Sequence, residues 1–166
     1  FSSCSKGRIT LGANFLQARA NEAPLTGLYA QWELNAPKIE TKFRLLGKNR
    51  KGAGLVIGYR DTGNFHRIFF DSAAGVIRVS RFVNGGETLL KEENARIPSD
   101  QWLNAEIEVS DGELQVQFQK DREQEREVEF KINLDAEFPM GLIGFYLPAN
   151  GAAEFQFFAL KDNARP

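Results

Sequence analysis

Apolar and polar residues alternate one by one along much of this chain, a period that suits strands and little else. Leu103, Ala105, Ile107 and Val109 alternate with Asn104, Glu106 and Glu108, and Leu114, Val116 and Phe118 alternate with Gln115 and Gln117. The same pattern runs through Ile39, Thr41, Phe43 and Leu45, and through Val128, Phe130 and Ile132. Successive side chains of a strand point to opposite faces, so each run offers one face to a core and one to water. A helix would instead repeat its apolar positions every three to four residues.

Turn chemistry breaks the pattern at short intervals. Asp61-Thr62-Gly63-Asn64, Asn84-Gly85-Gly86, Asp111-Gly112 and Asn150-Gly151 supply residues that tolerate positive φ in tight hairpins. The spacing predicts strands near 7–11, 14–20, 27–34, 37–46, 52–60, 64–71, 75–82, 87–93, 101–110, 113–120, 125–133, 141–147 and 152–160. Short helical turns are expected only at 99–102 and 134–138. So many strands with so few crossovers predict an all-β, two-sheet antiparallel β-sandwich. The 14 Phe suit its interior, which takes large rings from both inner faces. One domain is expected over residues 7–162, between polar tails at 1–6 and 163–166.

At 166 residues the chain buries enough surface to fold without a disulfide or metal staple. Its 21 basic and 22 acidic residues leave a net charge of −1, without the basic surplus that non-specific nucleic-acid binding needs. One His and one Cys exclude most multi-ligand zinc sites and any internal disulfide. No apolar run approaches the ~18 residues that read as a membrane-spanning helix. Cys4, after small residues and before Ser5, resembles the lipidated cysteine of a bacterial lipoprotein. Phe1 stands where such signals usually have Leu. An inert thiol in a tail is the alternative. A lipid on Cys4 is the one membrane contact expected.

A family resemblance follows from the order of the motifs. Gly54-Leu55-Val56-Ile57-Gly58-Tyr59-Arg60-Asp61, then Asn64-Phe65-His66-Arg67-Ile68, resembles a hairpin of concanavalin A-like jelly rolls. Val76-Ile77-Arg78-Val79 and Leu89-Leu90 are similar to the strands that follow it in laminin-G-like members. Trp102, the alternating strand after it and Asp111-Gly112 are similar to a later hairpin. Gly141-Leu142-Ile143-Gly144-Phe145-Tyr146 and Ala153-Glu154-Phe155 resemble the closing strands. The resemblance spans nearly all of residues 7–160 and implies a curved two-sheet jelly roll. That superfamily holds lectins, carbohydrate-binding modules, glycosidases and adhesion domains, so fold leaves activity open.

Chemistry narrows the choice. His66 is the only imidazole, and no serine sits in a Gly-x-Ser-x-Gly context, which speaks against a nucleophilic triad. Glu106 and Glu108, followed by Asp111, resemble the catalytic strand of family 16 glycoside hydrolases, where alternate acids share a cleft. Here Glu108 replaces an Asp and Asp111 opens a hairpin turn, so Glu106 and Glu108 are weak catalytic candidates. Asp61, Asn64 and Asp71 are candidate ligands for a structural calcium. No other cofactor is expected. Tyr59, Arg60, Asp61, Asn64, His66, Arg67, Arg78 and Arg81 form the candidate ligand-binding set. Sugars are gripped by ring faces and by polar groups that bond hydroxyls or carboxylates. Tyr59 would stack, while Arg60, His66 and Arg78 would hydrogen-bond, His66 and Arg78 lying on polar positions of paired strands. The arginines favour acidic or sulfated glycans. Trp32 and Trp102 are read as core anchors.

The expected function is a non-catalytic, lectin-like carbohydrate-binding domain, extracellular, periplasmic or on a bacterial surface. A glycoside hydrolase-like enzyme (family 16 or keto-sugar hydrolase type) and a laminin-G-like protein-interaction module stay open as alternatives.

Overall fold

The structure is a computed structural model, and it describes residues 2–3, 7–11, 15–32, 37–47, 51–110, 112–120, 127–134 and 141–162. Their strands are β1 (Ser2–Ser3), β2 (Gly7–Leu11), β3 (Leu16–Ala20), β4 (Leu25–Trp32), β5 (Pro37–Leu45), β6 (Ala53–Asp61) and β7 (Asn64–Asp71). They continue with β8 (Val76–Val83), β9 (Gly86–Asn94), β10 (Trp102–Ser110), β11 (Glu113–Lys120), β12 (Val128–Asn133), β13 (Gly141–Leu147) and β14 (Ala152–Asp162). A first sheet runs in the order β1-β4-β13-β6-β7-β8-β9, and a second in the order β12-β11-β10-β5-β14-β3-β2. All the strand pairs are antiparallel. The two sheets stack as a sandwich.

Period-two patterning sets the faces of the second sheet. Along β10 and β11 buried and half-buried residues alternate, so Leu103, Ala105, Ile107, Val109, Leu114, Val116 and Phe118 enter the core. Phenylalanines from both sheets fill the centre. Phe145 and Phe70, from the first sheet, interleave with Phe155, Phe43 and Phe118 from the second. Ring centroids along this series are 4.9, 6.3, 4.9 and 5.5 Å apart in the order Phe145, Phe155, Phe43, Phe70, Phe118. Such ring contacts, stacked for Phe145 with Phe155 and tilted for the rest, add to the area they bury. Gly27, paired with Phe145, leaves room for its ring: a Cβ there would lie 2.2 Å from Phe145 Cζ.

The hairpins follow the predicted turns. Ser110 pairs with Glu113 across Asp111-Gly112, with Gly112 at φ 75°. Val83 pairs with Gly86 across Asn84 and Gly85, at φ 50° and 82°, the two positive values a type I′ turn requires. Residues 99–101 form bends and carry no helical turn, a correction to the sequence reading. The other expected turn falls almost entirely on 135–138, outside the described residues. Ser2–Ser3 pairs with Leu28 and Gly27, so the first sheet begins within the stretch read as a tail. Cys4 and residues 163–166 lie outside the described residues.

Candidate functional site

Strand register decides which of the candidate residues meet. On β7 and β8, Arg67 faces Ser80, Phe69 faces Arg78 and Phe65 faces Phe82, while His66 faces Arg81 and Ile68 faces Val79. Directly opposed residues share a face. Ile68 and Val79 belong to the core, so Phe65, Arg67, Phe69, Arg78, Ser80 and Phe82 occupy the outer face. The meander expected from sequence is present, but His66 and Arg78 stand on opposite faces of it. The eight candidates are therefore not one cluster.

Tyr59 reaches the outer face through an irregularity. Leu55 and Ile57 point into the core, and simple alternation would send Tyr59 after them. Gly58, at φ 60°, lies where the β6–β7 register shifts, and the strand turns over there. Tyr59 then joins Leu28 and Val56 in a small outer-face apolar cluster, with Phe65, Leu142 and Tyr146 packed against it. It is 8% exposed and its ring lies 5.8 Å from that of Phe65, so it supports other rings and offers little surface of its own for stacking.

Among the described residues, the rings that do stand half-buried on this face are Phe65, Phe69, Phe82 and Tyr146. Phe65 and Phe82 stack at 4.3 Å. The Arg67 guanidinium lies among three rings, 4.8 Å from Tyr146, 4.9 Å from Phe82 and 5.6 Å from Phe69. It donates to Glu87 at 2.7 Å. Arg67 Nε and Ser80 Oγ, neighbours across the β7–β8 pair, are buried without a hydrogen-bond partner. Cation–π contacts of this kind hold a guanidinium flat against rings.

At the end of the same strands residues of both faces border a pocket of about 200 Å³. Arg60, Asn64, Phe65, His66, Arg81, Phe82 and Val83 line it, two guanidiniums with no carboxylate among them. Four of the eight sequence candidates thus meet here. His66 is buried, and burial together with the neighbouring Arg81 pushes its imidazole down to about 4. The turn that shapes the rim is pinned from both sides. Asp61 accepts from the Gly63 N–H at 2.8 Å and from the Asn64 amide at 2.9 Å, which holds its carboxyl below the usual range. Gly63 O in turn accepts from the Gly85 N–H at 3.0 Å, and Asn64 Oδ1 from the Asn84 N–H at 3.1 Å, joining the two hairpin tips.

The remaining candidates serve structure nearby. Arg78 is tied to Asp71 and donates to Glu92 at 2.7 Å. Asp71 also accepts from the Ala73 and Ala74 N–H groups. Asp61, Asn64 and Asp71, read as calcium ligands, are engaged in these two turns. Among the described residues no three His, Cys, Asp or Glu side chains converge as a metal set.

Glu106 and Glu108 lie on the outer face of the second sheet. Glu106 pairs with Glu40 across β5, and Lys38 Nζ sits 2.7 Å from Glu106 and 3.5 Å from Glu40. These contacts, the Glu106 hydrogen bond first, raise the lysine's pKa. Trp102 stands on this face too and not in the core, with Arg44 at 4.8 Å and Lys42 at 5.8 Å from its ring. The Trp32 side chain lies outside the described residues.

No protein-family model matches the chain, and no curated protein does. Solved structures do. CBM66, a carbohydrate-binding module from Bacillus subtilis, matches with a TM-score of 0.75 over 95% of this chain and 92% of its own, at 16% identity. The exoplasmic/lumenal domain of VIP36, in its Ca²⁺/Man3GlcNAc-bound form, matches at 0.75 over 97% of this chain and 85% of that one, also at 16% identity. The chain has the concanavalin A-like jelly-roll fold. A mutant of the GH43 protein BlXynB from Bacillus licheniformis contains the same jelly roll, with a TM-score of 0.62 and 14% identity over 93% of this chain but 38% of its own. At such identities the likeness establishes the jelly roll alone.

Sequence reading missed Phe65, Phe69, Phe82 and Tyr146. Their signal was available in the strand parity: Phe65 and Phe69 stand in phase with Arg67, and Phe82 in phase with Arg78. Aromatics in phase with charged residues mark rings left on the water-facing side of a sheet.

Proposed function

We propose that this jelly roll is a non-catalytic carbohydrate-binding domain of a secreted or cell-surface protein, and that it takes saccharides bearing carboxylate or sulfate groups. One observation supports the reading above the rest: a pocket at the hairpin tips brings two guanidiniums, Arg60 and Arg81, together with the stacked pair Phe65 and Phe82. Ring faces suit the C–H patches of a sugar, and guanidinium forks suit a carboxylate. His66, neutral at physiological pH, offers hydrogen bonding there without adding a third charge. The fold agrees with the reading, since CBM66 is a carbohydrate-binding module and the VIP36 domain holds a mannose-containing saccharide in its Ca²⁺/Man3GlcNAc-bound form.

The test is retention on uronic-acid and sulfated glycans, with and without calcium. Arg60→Ala combined with Arg81→Ala is expected to weaken binding at least ~10-fold, the loss of one charge-assisted contact or more. The thermal midpoint serves as the control for folding. Unchanged retention by a folded double variant would remove the pocket from consideration.

A further inference from the structure

We infer that the domain has a second saccharide site, on the opposite sheet, for a neutral polyhydroxylated chain. A groove of about 350 Å³ crosses the outer face of β5, β10 and β11. That size lies within the range of small-ligand clefts, roughly 300–1,000 Å³. Its polar lining is Glu40, Lys42, Asn104, Glu106, Gln117 and Gln119, and the backbone at Thr41, Ala105 and Phe118 forms the floor. The register places these side chains in rows: Lys42 beside Asn104 beside Gln119, and Glu40 beside Glu106 beside Gln117. All six are half-buried, unlike the exposed Glu129 and Lys131 on the neighbouring edge strand.

The groups present select the ligand class. Three amides stand at strand spacing, Gln117 also donating to Glu129 at 3.3 Å, and an amide offers both a donor and an acceptor, as a pair of vicinal hydroxyls requires. Charge is balanced, Glu40 and Glu106 against Lys38 and Lys42, so the groove has no preference for an anion. The place between Glu40 and Glu106 where a cation would sit holds the Lys38 ammonium. A protein partner would want an apolar centre to its interface. The large exposed apolar residues among the described ones are Phe15, Val83 and Leu89, and none lies on these strands.

The groove wall is braced by its neighbours. Arg44 packs on the Trp102 ring and is bound by the buried Glu154 carboxylate, with its Nε at 3.0 Å. Glu154 also accepts from Gln17 at 3.0 Å. This row crosses β3, β14, β5 and β10 and fixes Trp102 one same-face position beyond Asn104.

The experiment is an array of neutral glycans (glucans, xylans, mannans, galactans) and of uronic-acid and sulfated glycans, probed with the fluorescently labelled chain. Asn104→Ala with Gln117→Ala is expected to weaken binding to a neutral class at least tenfold and to leave acidic glycans retained as before. Arg60→Ala with Arg81→Ala is expected to do the reverse. Should the alanine pair melt early, the isosteric Asn104→Asp provides the same comparison in a folded chain. Neutral glycans left unbound by the parent, or bound equally by the groove variant, overturn the second site and leave the first untouched. Neutral binding lost in the groove variant, with acidic glycans never bound, supports this site and overturns the other.

Discussion

Phe70→Ala is expected to cost about 3–5 kcal/mol of folding stability, the usual range for deleting a fully buried ring. Phe70 is 1% exposed and touches Phe43 and Phe118, so the cavity it leaves lies where the two sheets interlock. In a chain of this length the thermal midpoint should fall by roughly 10–15 °C. Phe69 provides the internal comparison, because it is the next residue of the same strand and faces outward onto Tyr146. Phe69→Ala is expected to cost distinctly less. Urea titrations of the two variants decide the matter: equal losses would mean that the face assignment of β7 is wrong.

Stability is expected to fall between pH 6.5 and 4 because of His66. In the unfolded chain the imidazole titrates near 6.5, whereas in the fold it stays neutral until about 4. The unfolded state therefore binds more protons through that interval. The stabilisation is complete above 6.5 and is lost as pH falls toward 4. At pH 5 the loss from this group alone should be about 2 kcal/mol. The cause is burial first, which would strip a protonated imidazole of water, and then the positive charge of the neighbouring Arg81. Urea unfolding at pH 7.5 and 5.0, for the parent and for His66→Gln, separates the effect of His66 from that of the carboxylates. A His66→Gln chain with the same pH slope as the parent would show that His66 contributes nothing to it.

The second sheet was legible because one of its faces meets water. Residues 113–120 were assigned to their final strand limits, since polar and apolar positions never change phase there. The same parity would have placed Trp102 outside, in phase with Asn104 and Glu106; its bulk suggested a core anchor, and the register shows otherwise. In the first sheet both faces hold rings, so the parity of Asn64–Asp71 is carried only by Arg67 between Phe65 and Phe69, and hydropathy alone merges the two faces of β7 into one cluster. Tyr59 was beyond reach for another reason. A single glycine in a left-handed conformation reverses the strand before it, and alternation contains no trace of that. Contacts between distant strands, such as Glu154 with Arg44, were equally invisible to local pattern.

The order of strands also bears on how the chain is made. β13 lies between β4 and β6 in one sheet, and β14 lies between β5 and β3 in the other. Each sheet is thus two separate halves until a strand from late in the sequence arrives, and both missing strands belong to one consecutive pair. During synthesis the ribosome must release residues beyond 141 before either half-sheet loses its inner edges. A nascent chain stalled earlier would present four open strand borders, an invitation to chaperones or to the same pair of strands from a neighbouring polypeptide.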